Sequence, residues 1–546
     1  MPTFVQSTSS VGAGVTYAST AFGETAIFLQ GVTYGNTTTG AVATLSHFNN
    51  SIYNMATLFA TVGNGIQVSE FNCEVTNAVT GTITSFSNNA ALFAISVDES
   101  QFSLSNFGAI SAVNANGVKL NGSQSFIDNQ GSIFGGNYGV SSIGVDNIIQ
   151  NAGSIQAGGN GFTGSNAILV GGGIGQVFNS GLIVSQGTNA GAAIQVISSC
   201  LIVNSGTIRS DSYTDGAIDA SSATGNMSVT NSGSITATLF GAAIKGSTLS
   251  DQVFNTGVLN GSVQLGAGSD FFDGIGGRVT GFVYGGADND TYAISDPLAL
   301  IFEQVGEGVD NLLSTVSFSL VDVGEVENLT LLGTAADGTG NALGNILNGN
   351  IAANRLFGEA GGDAIAGYDG DDLIDGGADG DQLDGGTGDD RVLGRAGDDM
   401  VFGDDGEDWL TGGNGADTIY GGDGSDTLTG GANRDSMTGG ADADLFVFRT
   451  ASDTGIATWT RDIIADFEAG LDVLDLSGVD ARIGVAGNQA FTWLGTGAFT
   501  GVAGQLRYFL SGSTLIVEGT LNADLVADFT IRLNGETALA VDDLIL

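Results

Sequence analysis

Ten aspartates stand at nine-residue intervals: Asp363, Asp372, Asp381, Asp390, Asp399, Asp408, Asp417, Asp426, Asp435 and Asp444. Each is the sixth residue of a unit that opens on glycine, at Gly358, Gly367, Gly376, Gly385, Gly394, Gly403, Gly412, Gly421, Gly430 and Gly439. The stretch GGNGADTIYGGDGSDTLTGG, residues 412–431, shows the pattern most clearly as Gly-Gly-x-Gly-x-Asp-x-apolar-x. Glycine turns let main-chain carbonyls point inward, and the aspartate adds a carboxylate, so the unit gathers hard oxygen donors. That donor set suits Ca2+, which takes roughly six to eight oxygens at about 2.3–2.6 Å, better than Zn2+. Asp369, Asp405, Asn414 and Asp423, at the third position, are further candidate ligands. Two isolated relatives, GAGSD ending at Asp270 and GGADND ending at Asp290, are candidates for one shared calcium site.

The elements that would position these oxygens follow from the spacing. One unit makes a short strand and a turn, two units make a coil, and every second turn then stacks on the same side. The eighth position is apolar throughout: Ile365, Ile374 (read as one place out of step), Leu383, Val392, Val401, Leu410, Ile419, Leu428, Met437 and Phe446. Two weaker units, GNALGNILN and GNIAANRLF, precede them and carry Asn345 and Asn354 in the aspartate place. Asp379, Asn433 and Asp442 replace the fourth glycine, and Arg395 and Asp404 the second, so sites beside them are expected to be weak. Within the ten units the only basic residues are Arg391, Arg395 and Arg434, too few to offset stacked carboxylates. Metal binding then becomes folding free energy. For a dissociation constant on the order of 100 μM, millimolar calcium adds roughly 1.5–2 kcal/mol per site, against a typical stability of about 5–15 kcal/mol. Residues 340–445 are therefore expected to be disordered at submicromolar calcium and folded at millimolar.

Composition narrows the class. The 546 residues hold 59 Asp and Glu against 13 Lys and Arg, a formal net charge of −46, which repels nucleic acid and anionic lipid and attracts cations. Ninety glycines and two prolines fit an ordered backbone rich in tight turns. The acidic residues crowd in beyond Asp270, which marks a boundary. Cys73 and Cys200 lie far apart and are read either as a disulfide or as two buried thiols. The opening MPTFVQSTSS has no basic and apolar leader regions, and no apolar run is long enough to span a membrane.

The first half repeats more loosely. Asn-x-Gly-x-aliphatic elements recur as NFGAI at 106, NQGSI at 129, NAGSI at 151, NSGLI at 179, NSGTI at 204, NSGSI at 231 and NTGVL at 255, with a second apolar element between copies. Short β-favouring runs between Gly/Asn turns, at coil-length spacing, predict a parallel β-helix. The asparagine suits an amide ladder along one corner, and the glycine a left-handed backbone. The expected fold is all-β: a parallel β-helix, a calcium-binding parallel β-roll, and a sandwich-like C-terminal domain. The expected divisions are 1–80 as a cap or assembly segment, 81–265 as β-helix, 266–339 as transition, 340–446 as roll and 447–546 as the last domain.

The nine-residue unit resembles the RTX repeat of secreted bacterial proteins. Residues 305–350 resemble the spacer that often precedes such repeats, and DLFVFRTASDTG, RDIIADFEAGLDVLDLSGVDA and the closing VDDLIL resemble the serralysin-type C-terminal domain. The resemblance covers 305–546. It implies an uncleaved signal read by type I secretion machinery, export from a Gram-negative cell, and folding in external calcium. The protease of that family is missing: the single histidine, His47, cannot build a His-Glu-x-x-His zinc site and is read as structural. No Gly-x-Ser-x-Gly nucleophile elbow occurs.

Three functions compete for the first half. A membrane-inserting toxin would want long apolar or amphipathic helices, and none are visible. An enzyme acting on uronates would need cations and a base, yet the first 260 residues offer only Lys119, Arg209, Lys245 and His47, with Asp215 and Asp219 as acids. The preferred expectation is a non-enzymatic structural protein of the cell surface or extracellular matrix, self-assembling with calcium into a filament or surface layer. Its alternative is a carbohydrate-active enzyme or an adhesin for a cell-surface glycan or lipopolysaccharide.

Overall fold

The computed structural model describes the chain apart from residues 1–2, 7–9, 13–16, 19–20, 31, 37–40, 48, 62, 87–90, 159–163, 188–189 and 239–240. It divides into two compact units, Met1–Gly308 and Val309–Leu546.

The first unit is a parallel β-helix with three strands per coil. The coil Ser103–Asn106, Ala109–Ala112 and Asn116–Leu120 lies in register beneath Phe126–Asn129, Ser132–Gly135 and Tyr138–Ser142. Alternation along each strand turns Leu104, Ile110 and Val118 inward onto Ile127, Ile133 and Val140, all buried. Two of its sheets run to twelve and thirteen strands among the described residues.

One corner is an amide ladder. Nδ2 of each asparagine donates to Oδ1 of the next, from Asn54 through Asn77, Asn106, Asn129, Asn151, Asn179, Asn204 and Asn231 to Asn255, at 2.7–2.9 Å. Carboxamides carry both donor and acceptor, so the column satisfies itself. The glycine two places on is used differently from the expectation. Gly131 and Gly153 keep ordinary negative φ. A Cβ there would stand 2.1 and 2.0 Å from the carbonyls of Gly108 and Gly131. Close stacking of turns, not backbone handedness, requires them.

The segment 1–80 is corrected. Within its described residues it continues the coils: Thr25–Phe28, Ser51–Asn54 and Glu74–Asn77 stack in register onto Ser103–Asn106. The repeat is hidden there because Asn54 and Asn77 lack the Gly at the second place after them. Residues 37–40 and 48 of that segment lie outside the described residues. His47 is half-buried beside Ser46, and Cys73 and Cys200 are buried free thiols.

The second unit is a two-sheet roll. One face stacks Ala364–Asp369, Gln382–Thr387, Met400–Asp405, Thr418–Asp423 and Ser436–Ala441. The other stacks Arg355–Ala360, Leu373–Ala378, Arg391–Ala396, Trp409–Asn414 and Thr427–Ala432. Every eighth-position side chain is buried between them, Ile374 included, which pairs with Leu356 and Val392 and is in step. Roll-like pairing begins ahead of the glycine units, with Asn311–Ser314 beside Asn328–Leu331. After the units, Asp462–Ile464 and Val473–Asp475 extend the two faces. Gln505–Ser511, Thr514–Thr520 and Phe529–Leu533 form an antiparallel meander whose last strand joins Asp462–Ile464. The segment 447–546 is therefore roll extension plus one meander. No helix among the described residues is long and apolar enough to cross a membrane.

Removing one rung of the amide column tests its role. Asn179→Ala leaves Asn151 without its acceptor and Asn204 without its donor, and should cost about 2–3 kcal/mol in urea unfolding of the full chain. The outward Thr230→Ala, on an exposed side chain, should change stability by less than about 0.5 kcal/mol.

Candidate metal centre

Glycine stands in the nine-residue unit for two separate reasons. At the second place Gly377, Gly386, Gly413, Gly422, Gly431 and Gly440 have φ of 108–129°, and at the fourth Gly361, Gly370, Gly388, Gly397, Gly406, Gly415 and Gly424 have φ of 102–155°. Side chains rarely tolerate that region. At the first place φ is ordinary, but a Cβ on Gly376 would stand 2.3 Å from Oδ2 of Asp381, and from Gly358 to Gly439 the same approach is 2.1–2.4 Å. The missing side chain makes room for the carboxylate of its own unit.

The aspartates fall into two columns, one along each edge of the roll. In one, the amides of Asn345, Asp363, Asp381, Asp399 and Asp417 donate to Oδ1 of Asp363, Asp381, Asp399, Asp417 and Asp435, at 2.7–2.9 Å. In the other, the amides of Asn354, Asp372, Asp390, Asp408 and Asp426 donate to Oδ1 of Asp372, Asp390, Asp408, Asp426 and Asp444, at 2.6–3.0 Å. All ten carboxylates are buried, and Oδ2 of each has no hydrogen-bond partner. A buried anion with half its lone pairs idle is costly unless a cation joins it.

Burial drives the carboxyls up, neighbouring aspartates add to the shift, and the ladder amides oppose it. Asp381, Asp390, Asp417, Asp435 and Asp444 reach about 7, and Asp363, Asp372, Asp408 and Asp426 about 6. Asp399 is raised by the same cause.

The two asparagines at the head of the columns show what replaces a cation. Oδ1 of Asn345 accepts from Asn341 N–H and its Nδ2 donates to the Glu327 carbonyl; Asn354 does the same with Asn350 and Ala335. An amide in this place closes its own turn. The departures from glycine bend the turn differently: Asp379, Asn433, Asp442, Arg395 and Asp404 have φ of 72–89°, nearer the left-handed helical well. Turn-to-turn bonds such as Gly388 N–H to Asp405 carbonyl, 2.8 Å, link turns with glycine at the fourth place.

The third-position residues lie elsewhere. Asp369, Asp405 and Asp423 are exposed and line a groove of about 650 Å³ on one face, with Asn414 exposed on the other. Their side chains are away from the buried columns, and the carbonyls of Asp405, Asn414 and Asp423 accept from the fourth-position glycine amides. Asp270 and Asp290 are brought together, the Asp270 amide donating to Oδ1 of Asp290 at 2.7 Å.

Three ladder carboxylates escaped the spacing argument because the glycines around them are gone. Asp462 and Asp472 accept from the amides of Asp435 and Asp444, and Asp466 accepts from Gly439 and Gly440. For Asp462 and Asp472 the signal is Asp followed two places on by an aliphatic, in DII and DVL; Asp466, in DFE, carries no such signal. Oδ2 of Asp462 has no partner, and burial pushes this carboxyl to about 9.

The edge columns define a metal-dependent β-roll. Residues 339–446 match the family of the RTX calcium-binding nonapeptide repeat in four copies, at 339–374, 348–383, 375–410 and 411–446. That segment carries RTX calcium-binding repeats. Among solved structures, the AlgE6R2 subunit of the Azotobacter vinelandii mannuronan C5-epimerase is 31% identical over 27% of this chain and 88% of its own, with a TM-score of 0.21. The AlgE6R3 subunit is 26% identical over 31% and 78%, with a TM-score of 0.20. No curated protein matches the chain.

In the metal-free fold the carboxyls lie above the ordinary 3.8, so each favours folding while protonated and opposes it once ionised. The metal-free roll should therefore gain stability as pH falls from about 8 to 5, and lose it as pH rises through about 6–7. Calcium takes the ionised form, so its midpoint concentration should rise on acidification below about pH 6. All three tryptophans, Trp409, Trp459 and Trp493, lie in the second unit and report on it by fluorescence. A spectrum in EGTA at pH 8 identical to that in calcium would refute the dependence.

Proposed function

We propose that the protein is a secreted, non-enzymatic structural protein whose roll folds in extracellular calcium and whose β-helix assembles with other copies at the cell surface or in the matrix. The observation that carries the calcium step is the pair of buried carboxylate columns, each rung with one unpartnered oxygen. In low cytosolic calcium at neutral pH those charges oppose folding, which keeps the chain threadable for type I secretion machinery. Outside the cell, calcium closes the roll.

The polar groups of the β-helix favour a structural part over a catalytic one. The carboxylate of Asp219 accepts from Gly216, from Ser221 N–H and from Ser221 Oγ, so it holds its own turn. Lys119 pairs with Asp98, Arg209 with Asp211, and Lys245 donates to the Thr214 carbonyl. These cations are engaged locally. The first coils meanwhile expose Val5, Phe22, Tyr53, Phe71, Val79 and Phe86, with Phe59 packed edge-on against Phe86. Exposed apolar side chains of that kind favour contact with another protein chain, here a second copy.

A second reading rests on one groove. About 800 Å³ in volume, it is lined by Arg209, Thr236, Thr238, Asn260, Thr280 and Phe282. Hydroxyls, one amide, an Arg209–Asp211 pair and an exposed aromatic ring fit a polyhydroxylated ligand, a cell-surface glycan or the saccharide of lipopolysaccharide.

Two measurements separate the readings. Sedimentation and electron microscopy should show calcium-dependent polymers that Phe86→Ser weakens; monodisperse monomers with and without calcium would defeat assembly. Glycan-array binding lost by about tenfold in Phe282→Ala would favour the adhesin, and no binding to any neutral or anionic glycan would remove it.

A further inference from the structure

Outside the matched repeats, one corner of the first unit reproduces the chemistry of the roll. The turns that end at Asp251, Asp270 and Asp290 stack on successive coils. The Asp251 amide donates to Oδ1 of Asp270 at 2.6 Å, and the Asp270 amide to Oδ1 of Asp290 at 2.7 Å. This is the amide-to-carboxylate step that builds each column of the roll. The backbone repeats it too: Gly266 and Gly286 take the second place with φ of 118° and 108°, and Gly268 the fourth with φ of 98°. The Gly268 amide donates to the Ala287 carbonyl at 3.0 Å, as Gly388 does to Asp405 in the roll.

What points to a ligand is the Asp270 carboxylate itself. It is 3% exposed, and its Oδ2 has no hydrogen-bond partner. The carboxylate beneath it is different. Both oxygens of Asp251 are engaged, Oδ1 by Met227 N–H at 2.5 Å and Oδ2 by Ser247 N–H at 2.6 Å. Asp251 thus closes its own turn, as Asn345 and Asn354 do in the roll, and the unsatisfied charge begins one coil later. The charged groups that act on Asp270 are all carboxylates, those of Asp290, Asp251 and Asp288. A carboxylate buried in this way with an idle oxygen is costly as an anion unless a cation joins it.

We propose that the stacked turns 266–270 and 286–290 bind a calcium ion on the Asp270 carboxylate, so that the end of the β-helix unit is clamped by metal separately from the RTX repeats. The roll lends this proposal only the identity of the ion.

The test is Asp270→Asn in the full chain, since asparagine keeps the Oδ1 that Asp251 needs and removes the charge. Bound calcium at saturation, by mass spectrometry of the native protein, should fall by about one ion per chain while the tryptophan midpoint stays put. Hydrogen exchange should show residues 262–273 of the unmodified protein better protected in calcium than in EGTA. In the variant that gain should vanish, with protection in EGTA equal or higher because a buried charge has gone. Unchanged stoichiometry, or equal loss of protection with and without calcium, would overturn the site and leave Asp270 structural. Tryptophan fluorescence blind to chelator would instead defeat the calcium reading of the roll, and the exchange result at 262–273 would stand apart from it.

Discussion

A carboxylate has acceptors and no donor, and that asymmetry governs the second unit. Each ladder aspartate spends one oxygen on the amide of the turn beneath and leaves the other buried. Nothing in the protein supplies the remaining donors: the unit has few cations, and Arg395 turns outward to Asp375 on the surface. The fold therefore has an electrostatic cost that protonation or a bound cation must offset. The glycine at the first place of each unit follows from the buried carboxylate, because a side chain there would meet it.

The first unit also builds a corner ladder, but it runs from side chain to side chain rather than from main-chain amide to side chain. Its asparagine column and the aspartate columns are both corner ladders on a parallel solenoid. Asn151 gives a proton to Asn179 and takes one from Asn129, so every interior rung is closed by its neighbours. Exchanging amide for carboxylate changes one nitrogen into an oxygen and removes two donors. An asparagine rung closes on its neighbours, whereas an aspartate rung accepts from the main chain and keeps one oxygen for a proton or a cation. Asn345 and Asn354 make the comparison inside one roll, where the amide completes its turn with protein groups alone.

Much of this was legible in the sequence because the repeats carry their reasons openly. Asp363 to Asp444 and the inward aliphatics announced roll, period and ion, and Asn106 to Asn255 announced the ladder. What stayed hidden was whatever the period did not mark. Asn54 and Asn77 belong to the ladder, yet without the Gly two places on they do not look like it. Asp462 and Asp472 extend the columns 27 and 28 residues after Asp435 and Asp444, across loops that break the count. The third-position Asp369, Asp405 and Asp423 were read as ligands because they are acidic and near; all three are exposed, because the positive φ at the second place breaks the strand's alternation just before them. Sequence spacing gives the neighbour, but the backbone turn before it gives the side.

The ends of the columns decide how far a calcium response can spread. A solenoid with open ends propagates folding or unraveling from coil to coil, and capping stops it. Here the caps need no metal. Asn345 and Asn354 close the first turns with their own amides, and at the other end both oxygens of Asp466 hold Gly439 and Gly440, while both of Asp472 hold Asp444 and Glu468. Within the first unit the carboxylate of Glu303 holds Gly285 and Gly286 in the same manner. Only the column that ends at Asp462 finishes on an unsatisfied oxygen. The metal-dependent turns are thus bounded by protein groups at the start of both columns and at the far end of one, while the other runs on to Asp462. The ionised carboxylates that call for calcium lie within those turns, whereas each interior amide of the asparagine ladder is satisfied by its neighbours and calls for no cation.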